Sequence, residues 1–172
     1  MKKIQYLILG TITIFVFSCS QKNNSIQTYK GNIDEGDWIG GYTIGNYGGV
    51  TGDHCSKVDT VNQYSFGFRK LISEISPDPI KKIKTSVWVK LDDINKKTLL
   101  VVSLNGKDGK NILWTGHELN TVVKAPNKWF KLDVEDVLPE FDSEGAQIEI
   151  YVWNNNKNVA YIDDMNISFL SE

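Results

Sequence analysis

Three aromatic side chains are candidates for ligand contact because they occupy the polar positions of alternating apolar runs. Trp88, Tyr151 and Trp153 each stand next to branched aliphatic residues that point the opposite way in a strand. Glu149 and Asn154 lie close to the last two and supply hydrogen-bonding groups. An aromatic face beside such groups suits a sugar ring, which has an apolar C–H face and a rim of hydroxyls. The alternative is that a loop or the N-terminal segment covers these rings as a second small core.

A carboxylate in the last apolar run is a second candidate. Asp163 shares its parity with Tyr161 and Met165, which places the acid among apolar neighbours if the strand is regular. A buried carboxylate must be paired or must bind a cation. The alternative is a β-bulge at Asp163 and Asp164 that turns both acids toward solvent.

The pattern of nucleophiles and metal ligands favours a non-catalytic protein. The histidines His54 and His117 show no zinc-binding spacing, and no serine elbow, phosphate loop or dinucleotide fingerprint is present. Cys55 follows His54 directly, so the two would point to opposite faces of a strand, and a small buried cysteine is expected. Trp114, His117 and Glu118 form a weaker candidate group. A small carbohydrate-active enzyme remains an alternative, since a fold could bring two carboxylates to glycosidase spacing.

The N-terminus is typical of a lipoprotein precursor. Lys2 and Lys3 precede an apolar run from Tyr6 to Phe17, and the Ser18-Cys19 pair after it resembles a lipobox. The expected organisation is a signal peptide at 1–18, a lipidated Cys19 with a flexible tether at 19–28, and one domain at 29–172. An ordinary signal peptide with a chance cysteine is the alternative.

Composition limits the compartment and the partners. Ser20 in place of aspartate favours the outer membrane, and Ser20-Gln21-Lys22 resembles part of the surface-export tag of Bacteroidetes lipoproteins. The chain has 19 basic and 21 acidic side chains, so a nucleic-acid partner is not expected. If Cys19 is acylated, Cys55 has no partner for an internal disulfide.

Alternating strands must position these side chains. The clearest pattern runs from Lys82 to Leu91, and it recurs around 130–134 and 148–153. Further strands are expected near 56 to 61, 64 to 72, 98 to 105, 111 to 118 and 159 to 170. Many short strands joined by Asn- and Gly-rich turns indicate an all-β antiparallel sandwich, with a jelly roll as the expected topology.

The chain from about Asn32 to Phe169 resembles the galactose-binding-like jelly rolls that serve as carbohydrate-binding modules in Bacteroidetes surface lipoproteins. The resemblance is carried by four segments: Asn32-Ile33-Asp34 ahead of Trp38, Lys57 to Ser65, Val87-Trp88-Val89-Lys90, and Tyr151 through Asp164. It implies a glycan or another extracellular ligand, with a partner protein of a glycan-utilisation system as a further expectation.

The resemblance also implies a structural Ca²⁺ ion. Such jelly rolls often hold it with an aspartate of the last strand, an acid near the N-terminus and backbone carbonyls, and oxygen ligands suit calcium. The matching residues here are Asp163 and Asp34, with Glu35 or Asp164 as substitutes.

A lipid-anchored protein that assembles with a partner protein through the same aromatic face is the remaining alternative to a glycan-binding protein.

Overall fold

Two antiparallel sheets pack face to face in the computed structural model, which describes residues 25–31 and 38–171. The six-stranded sheet contains β1 (Ser25–Gly31), β3 (Ile44–Asn46), β4 (His54–Val58), β6 (Lys82–Leu91), β9 (Phe130–Val137) and β11 (Ala160–Leu170). The five-stranded sheet contains β2 (Trp38–Ile39), β5 (Tyr64–Leu71), β7 (Leu99–Asn105), β8 (Asn111–Glu118) and β10 (Gln147–Trp153). The predicted all-β jelly-roll sandwich is confirmed.

Strands that are neighbours in a sheet are seldom neighbours along the chain, so the chain crosses repeatedly between the two sheets. The six-stranded sheet runs β3-β4-β11-β6-β9, with β1 also paired to β11, and the five-stranded sheet runs β2-β5-β10-β7-β8. Helical structure in the described residues is limited to α1 (Ile72–Ile75) and single 3-10 turns at Gly41–Thr43 and Leu119–Thr121. None of these helices is long and apolar enough to span a membrane.

The core lies between the sheets and follows the alternation seen in the sequence. In β10, Ile148, Ile150 and Val152 are fully buried, while the residues between them are half-buried on the outer face. Phe68 and Phe169, from opposite sheets, meet in the core with ring centroids 5.8 Å apart. Burying large apolar side chains in this way supplies most of the free energy that stabilises a sandwich.

The described fold begins before residue 29, where the domain was expected to start. β1 begins at Ser25 and pairs with the end of β11, so residues 25–28 belong to the sheet and not to the tether expected at 19–28. Gln27, Thr28 and Lys30 are exposed on this edge strand, which is why their polarity resembled a linker. Cys19 and the predicted signal peptide lie outside the described residues.

Candidate functional site

A cleft of about 420 Å³ opens on the outer face of the five-stranded sheet. Its lining residues come from β2, the turn after it, β5 and β10: Ile39, Gly40, Tyr42, Tyr64, Ser65, Arg69, Glu149 and Tyr151. The rings of Tyr64 and Tyr151 meet edge to face with centroids 5.6 Å apart. Tyr42 stands at the rim with 74% of its surface exposed. The cleft therefore combines phenol rings with one ion pair.

Two local features of β5 shape the floor of the cleft. The pairing of β5 with β10 shifts register between Tyr151 and Trp153, and the Ser65 hydroxyl accepts a 2.9 Å hydrogen bond from the Val152 N–H at this bulge. A Cβ atom on Gly67 would stand only 2.5 Å from the Ile150 carbonyl oxygen and 2.8 Å from the Tyr151 Cβ. Glycine at this position therefore allows the close approach of β5 to β10 next to Tyr151.

The charged groups of the cleft neutralise each other. Arg69 Nε lies 2.6 Å from Glu149 Oε1, with 47% of the arginine and 20% of the glutamate side chain exposed. Burial raises the pKa of the Tyr151 phenol, and the negative charge of Glu149 adds to that shift. The phenol therefore stays protonated at neutral pH and can donate a hydrogen bond. The cleft offers donors and acceptors but no net charge, which suits sugar hydroxyls.

Two tryptophans extend the aromatic surface toward the edge strand β8. Trp153 and Trp114 meet edge to face with centroids 6.4 Å apart, and Trp114 is 47% exposed. The Trp114 ring lies over Gly116, where a Cβ atom would approach it to 2.9 Å. Among the described residues, nothing hydrogen-bonds to the Trp153 indole nitrogen.

No protein-family model matches the sequence, and no curated protein is significantly similar to it. Solved structures do match its fold. The CBM22-1 xylan-binding domain from Paenibacillus barcinonensis Xyn10C aligns with a TM-score of 0.53 and 13% identity over 87% of this chain and 97% of that domain. The CBM22-2 xylan-binding domain of the same protein aligns with a TM-score of 0.50 and 14% identity, over 82% and 98%.

A third match is part of a larger enzyme. The N-terminal CBM22-1–GH10 modules of the Clostridium thermocellum endo-1,4-beta-D-xylanase 10B, complexed with xylohexaose, align with a TM-score of 0.51 and 16% identity. That alignment covers 86% of this chain and 27% of the other. The chain has the β-sandwich fold of these carbohydrate-binding modules. At these identities the similarity establishes the fold alone.

The structure separates the aromatic residues that the sequence grouped as one platform. Tyr151 and Trp153 lie on β10 beside Glu149, as expected from their parity, and all three are half-buried on one outer face. Trp88 lies on β6, opposite Lys131 of β9, and therefore belongs to the other sheet. The expectation of a shared platform is corrected, because strands that alternate alike can belong to different layers.

Asn154 has a structural role instead of the predicted ligand contact. Its side-chain nitrogen donates to the carbonyls of Asp59, at 2.9 Å, and Asn158, at 2.7 Å, while its oxygen accepts from the Asn158 N–H at 2.9 Å. Only 2% of the residue is exposed. These three bonds hold the turn before β11 and leave its amide unavailable to a ligand.

The weaker candidate group on β8 does not converge on one site. His117 Nε2 points between the sheets and lies 3.0 Å from Asp136 Oδ1, whereas Glu118 pairs with Lys97. His54 is exposed and Cys55 is buried, which confirms the opposite orientations expected of adjacent strand residues. Burial raises the pKa of the Cys55 thiol to about 11, so the sulfur is a poor nucleophile.

Asp163 is buried, but for a reason that neither sequence interpretation contained. The pairing of β11 with β6 shifts register between Asp163 and Asn166, and Asp164 has φ of 45°, so a bulge is present. Asp163 is nevertheless only 4% exposed, because the loop at 47–53 folds over it. Beyond the bulge, Met165 returns to the core. Tyr161 and Asp163 therefore face outward, and the assumed common parity with Met165 is wrong.

The carboxylate of Asp163 is surrounded by backbone N–H groups. Its Oδ2 accepts from Val50 at 2.7 Å and from Thr51 at 3.2 Å, and its Oδ1 accepts from Asp164 at 2.9 Å. Burial raises the pKa of the Asp163 carboxyl, and these three hydrogen bonds oppose the shift. Asp164 in turn accepts a 2.7 Å hydrogen bond from the Thr51 hydroxyl.

A cation at this position would have to share oxygens that already accept hydrogen bonds. Asp34 and Glu35, the other expected ligands, lie outside the described residues. Within the described part of the chain, no three His, Cys, Asp or Glu side chains are grouped as a metal site. Calcium binding through Asp163 and Asp34 stays a prediction.

Sequence reasoning did not identify Tyr64 and Arg69 as cleft residues. Both lie on β5, a strand that was expected. The alternation of β5 is obscured by its bulge and by Gly67, so its outward positions could not be assigned from the sequence. Arg69 could still have been identified, because it directly follows Phe68, and adjacent strand residues point to opposite faces.

Proposed function

We propose that this protein is a non-catalytic, glycan-binding protein whose binding site is the cleft of Tyr64, Tyr151, Arg69 and Glu149. The observation that carries the proposal is the meeting of two phenol rings and a neutralised ion pair in one open groove. A sugar can lay its C–H face on a ring while its hydroxyls reach Arg69 as donor and Glu149 as acceptor.

The structural similarities support the same class of ligand. The matching domains are described as xylan-binding, and one of them was solved with xylohexaose. The aromatic surface continues beyond the cleft through Trp153 to Trp114. Rings from β5, β10 and β8 thus lie on one face of the sheet, and such a row suits an extended chain of sugars better than a single sugar.

Binding to a panel of immobilised polysaccharides tests the proposal. Tyr151→Ala should weaken binding of the retained glycan roughly tenfold, because the ring supplies stacking area at the centre of the cleft. Trp88→Ala is the matched control, since it removes a half-buried aromatic from the opposite sheet and should leave this affinity unchanged.

Two outcomes would overturn the proposal: retention of no polysaccharide, or equal affinity of wild type and Tyr151→Ala with both proteins folded. Release of reducing sugar from the same panel would favour the carbohydrate-active enzyme instead. Binding of a partner protein that Tyr151→Ala abolishes, without glycan binding, would favour the assembly lipoprotein.

We further propose that the domain is anchored in the outer membrane by lipid on Cys19, with surface display as in Bacteroidetes lipoproteins. The support is the lipobox-like Ser18-Cys19 pair and the polar Ser20-Gln21-Lys22 segment. Because β1 begins at Ser25, only residues 20–24 separate the lipid from the sheet. Five extended residues reach at most about 18 Å, so the domain would stay close to the membrane.

A further inference from the structure

Lysine and aromatic side chains alternate across the outer face of the six-stranded sheet, on the side opposite the cleft. We call this row the lysine–aromatic band, and its members are Tyr47, Lys57, Tyr161, Lys90 and Trp129. The central three are cross-strand neighbours, because Tyr161 of β11 pairs with Lys57 of β4 on one side and with Lys90 of β6 on the other. Side chains opposite one another in this way share a face of the sheet.

Lys90 is the central cation of the band. Its ammonium lies 4.2 Å from the centroid of the Tyr161 ring and 4.7 Å from that of Trp129. The residue is half-buried, and in the described part of the chain it forms no ion pair with a carboxylate. Two ring faces thus fix a partly desolvated positive charge, and no carboxylate of residues 25–31 or 38–171 pairs with it.

Lys57 and Tyr47 form the other half of the band. Lys57 lies 5.7 Å from the centroid of Tyr47 and pairs with Asp59 at 3.2 Å. Tyr47 is 45% exposed and its ring lies along the sheet over Gly45, where a Cβ atom would approach it to 2.6 Å. Tyr47 and Tyr161 are 6.0 Å apart.

We propose that the lysine–aromatic band is a second binding surface, for an acidic polysaccharide with a carboxylate or sulfate group on alternate sugars. Lys57 and Lys90 flank β11, so they are two strand spacings apart, or roughly 9–10 Å. That distance is comparable with a disaccharide repeat. An anionic group at Lys90 would give this ammonium a charged hydrogen-bond partner, which none of the described carboxylates provides.

The aromatic residues favour a sugar polymer over other polyanions. A nucleic acid or an anionic membrane is held mainly by many cations, whereas the chain as a whole has a net charge of −2. In the band, every cation adjoins a ring that can contact the C–H face of a sugar. The band is independent of the cleft, because the two lie on opposite sheets.

Equilibrium binding of the full-length protein in detergent to hyaluronan tests the proposal. This unsulfated polymer has a carboxylate on every second sugar. We expect saturable binding that weakens with added salt, and loss of binding to carboxyl-reduced hyaluronan. Dextran sulfate, whose charges are sulfate groups, serves as the second arm and distinguishes the two anionic groups.

Substitutions then assign the binding to the band. Lys90→Gln should lower the affinity about tenfold, and Lys90→Arg should retain most of it because the charge is kept. Lys84→Gln is the matched control, since Lys84 lies on the same strand and already pairs with Glu135 at 3.4 Å. Tyr151→Ala should not change binding to hyaluronan.

The proposal is overturned if neither polyanion binds, or if Lys90→Gln binds as tightly as wild type with the same melting temperature. It is also overturned if carboxyl-reduced hyaluronan binds equally well and dextran sulfate does not bind. Binding to vesicles that contain phosphatidylglycerol, without binding to either polymer, would assign the band to a lipid surface. None of these results bears on the cleft, which the neutral polysaccharides test separately.

Discussion

Asp136 is a buried carboxylate that joins the two sheets at their open edge. It belongs to β9, is 5% exposed, and accepts hydrogen bonds from the Thr115 hydroxyl at 2.7 Å and from His117 Nε2 at 3.0 Å. Thr115 and His117 belong to β8 of the opposite sheet. Burial alone would raise the pKa of Asp136, but the hydrogen bonds and the charge of His117 lower it further than burial raises it.

The lowered pKa of Asp136 predicts acid sensitivity. A carboxyl whose pKa is lower in the folded state than in the unfolded state stabilises the fold at pH values above the unfolded pKa of 3.8. This stabilisation is lost as the pH falls through the pKa of the folded state. We expect Asp136→Asn to cost about 2–3 kcal/mol of unfolding free energy at pH 7. In urea titrations the difference from wild type should shrink below pH 4, whereas a constant difference would contradict the assignment.

The second residue-scale prediction concerns calcium. If Ca²⁺ shares the Asp163 carboxylate, a ligand that binds only the folded state must raise the melting temperature by mass action. The wild type should then melt at a lower temperature in a chelator and recover when Ca²⁺ is added. Asp163→Asn should abolish this response. Identical wild-type melting curves in chelator and in Ca²⁺ would mean that the three N–H donors alone compensate the charge.

At the scale of elements, the loop at 47–53 fills a gap along β11. β4 pairs with β11 only at Ala160–Ile162, and β1 pairs with it only from Met165 onward. Between them, the bulge at Asp163 would leave backbone and carboxylate groups without partners. The loop covers this gap and supplies the N–H donors of Val50 and Thr51.

Gly49 should be essential to this packing. A Cβ atom at Gly49 would stand 2.5 Å from the His54 carbonyl oxygen and 2.6 Å from Asp163 Oδ2. Gly49→Ala is therefore expected to cost roughly 1–3 kcal/mol, because backbone or the buried carboxylate must shift. Gly41→Ala is the matched control, since Gly41, like Gly49, has no positive φ and no atom lies within 4 Å of its Cβ position. Equal stability of Gly49→Ala and wild type in chemical denaturation would contradict the close packing.

At the scale of the whole molecule, the proposed lipid on Cys19 should determine whether the domain is bound to the membrane. Cys19→Ala should abolish incorporation of a palmitate analogue and release the domain from the detergent phase, because the acylated thiol is lost. Metabolic labelling and phase partitioning measure both effects. A Ser20→Ala variant is the control, and unchanged labelling of Cys19→Ala would disprove the lipid anchor.

Much of the fold could be predicted because alternation directly reports which face of a strand is buried. It gave the class and the approximate positions of β6, β9, β10 and β11, and further strands were expected near β4, β5, β7 and β8. It failed at Asp163, where a single extra residue reverses the parity, and at Ser25, where an exposed edge strand is polar. It also failed at Asn154, because a turn amide bonded to backbone has the same sequence signature as an exposed one.

The sequence by itself determined the sandwich class and the outward direction of Trp88, Tyr151 and Trp153, since both follow from local period-two patterning. Only the tertiary structure decided which sheet each strand joined. That choice placed Tyr151 beside Tyr64 and Arg69 in one cleft, and Trp88 and Lys90 on the opposite face. Strand order depends on long-range pairing between segments far apart in the chain, and local periodicity contains no information about those partners.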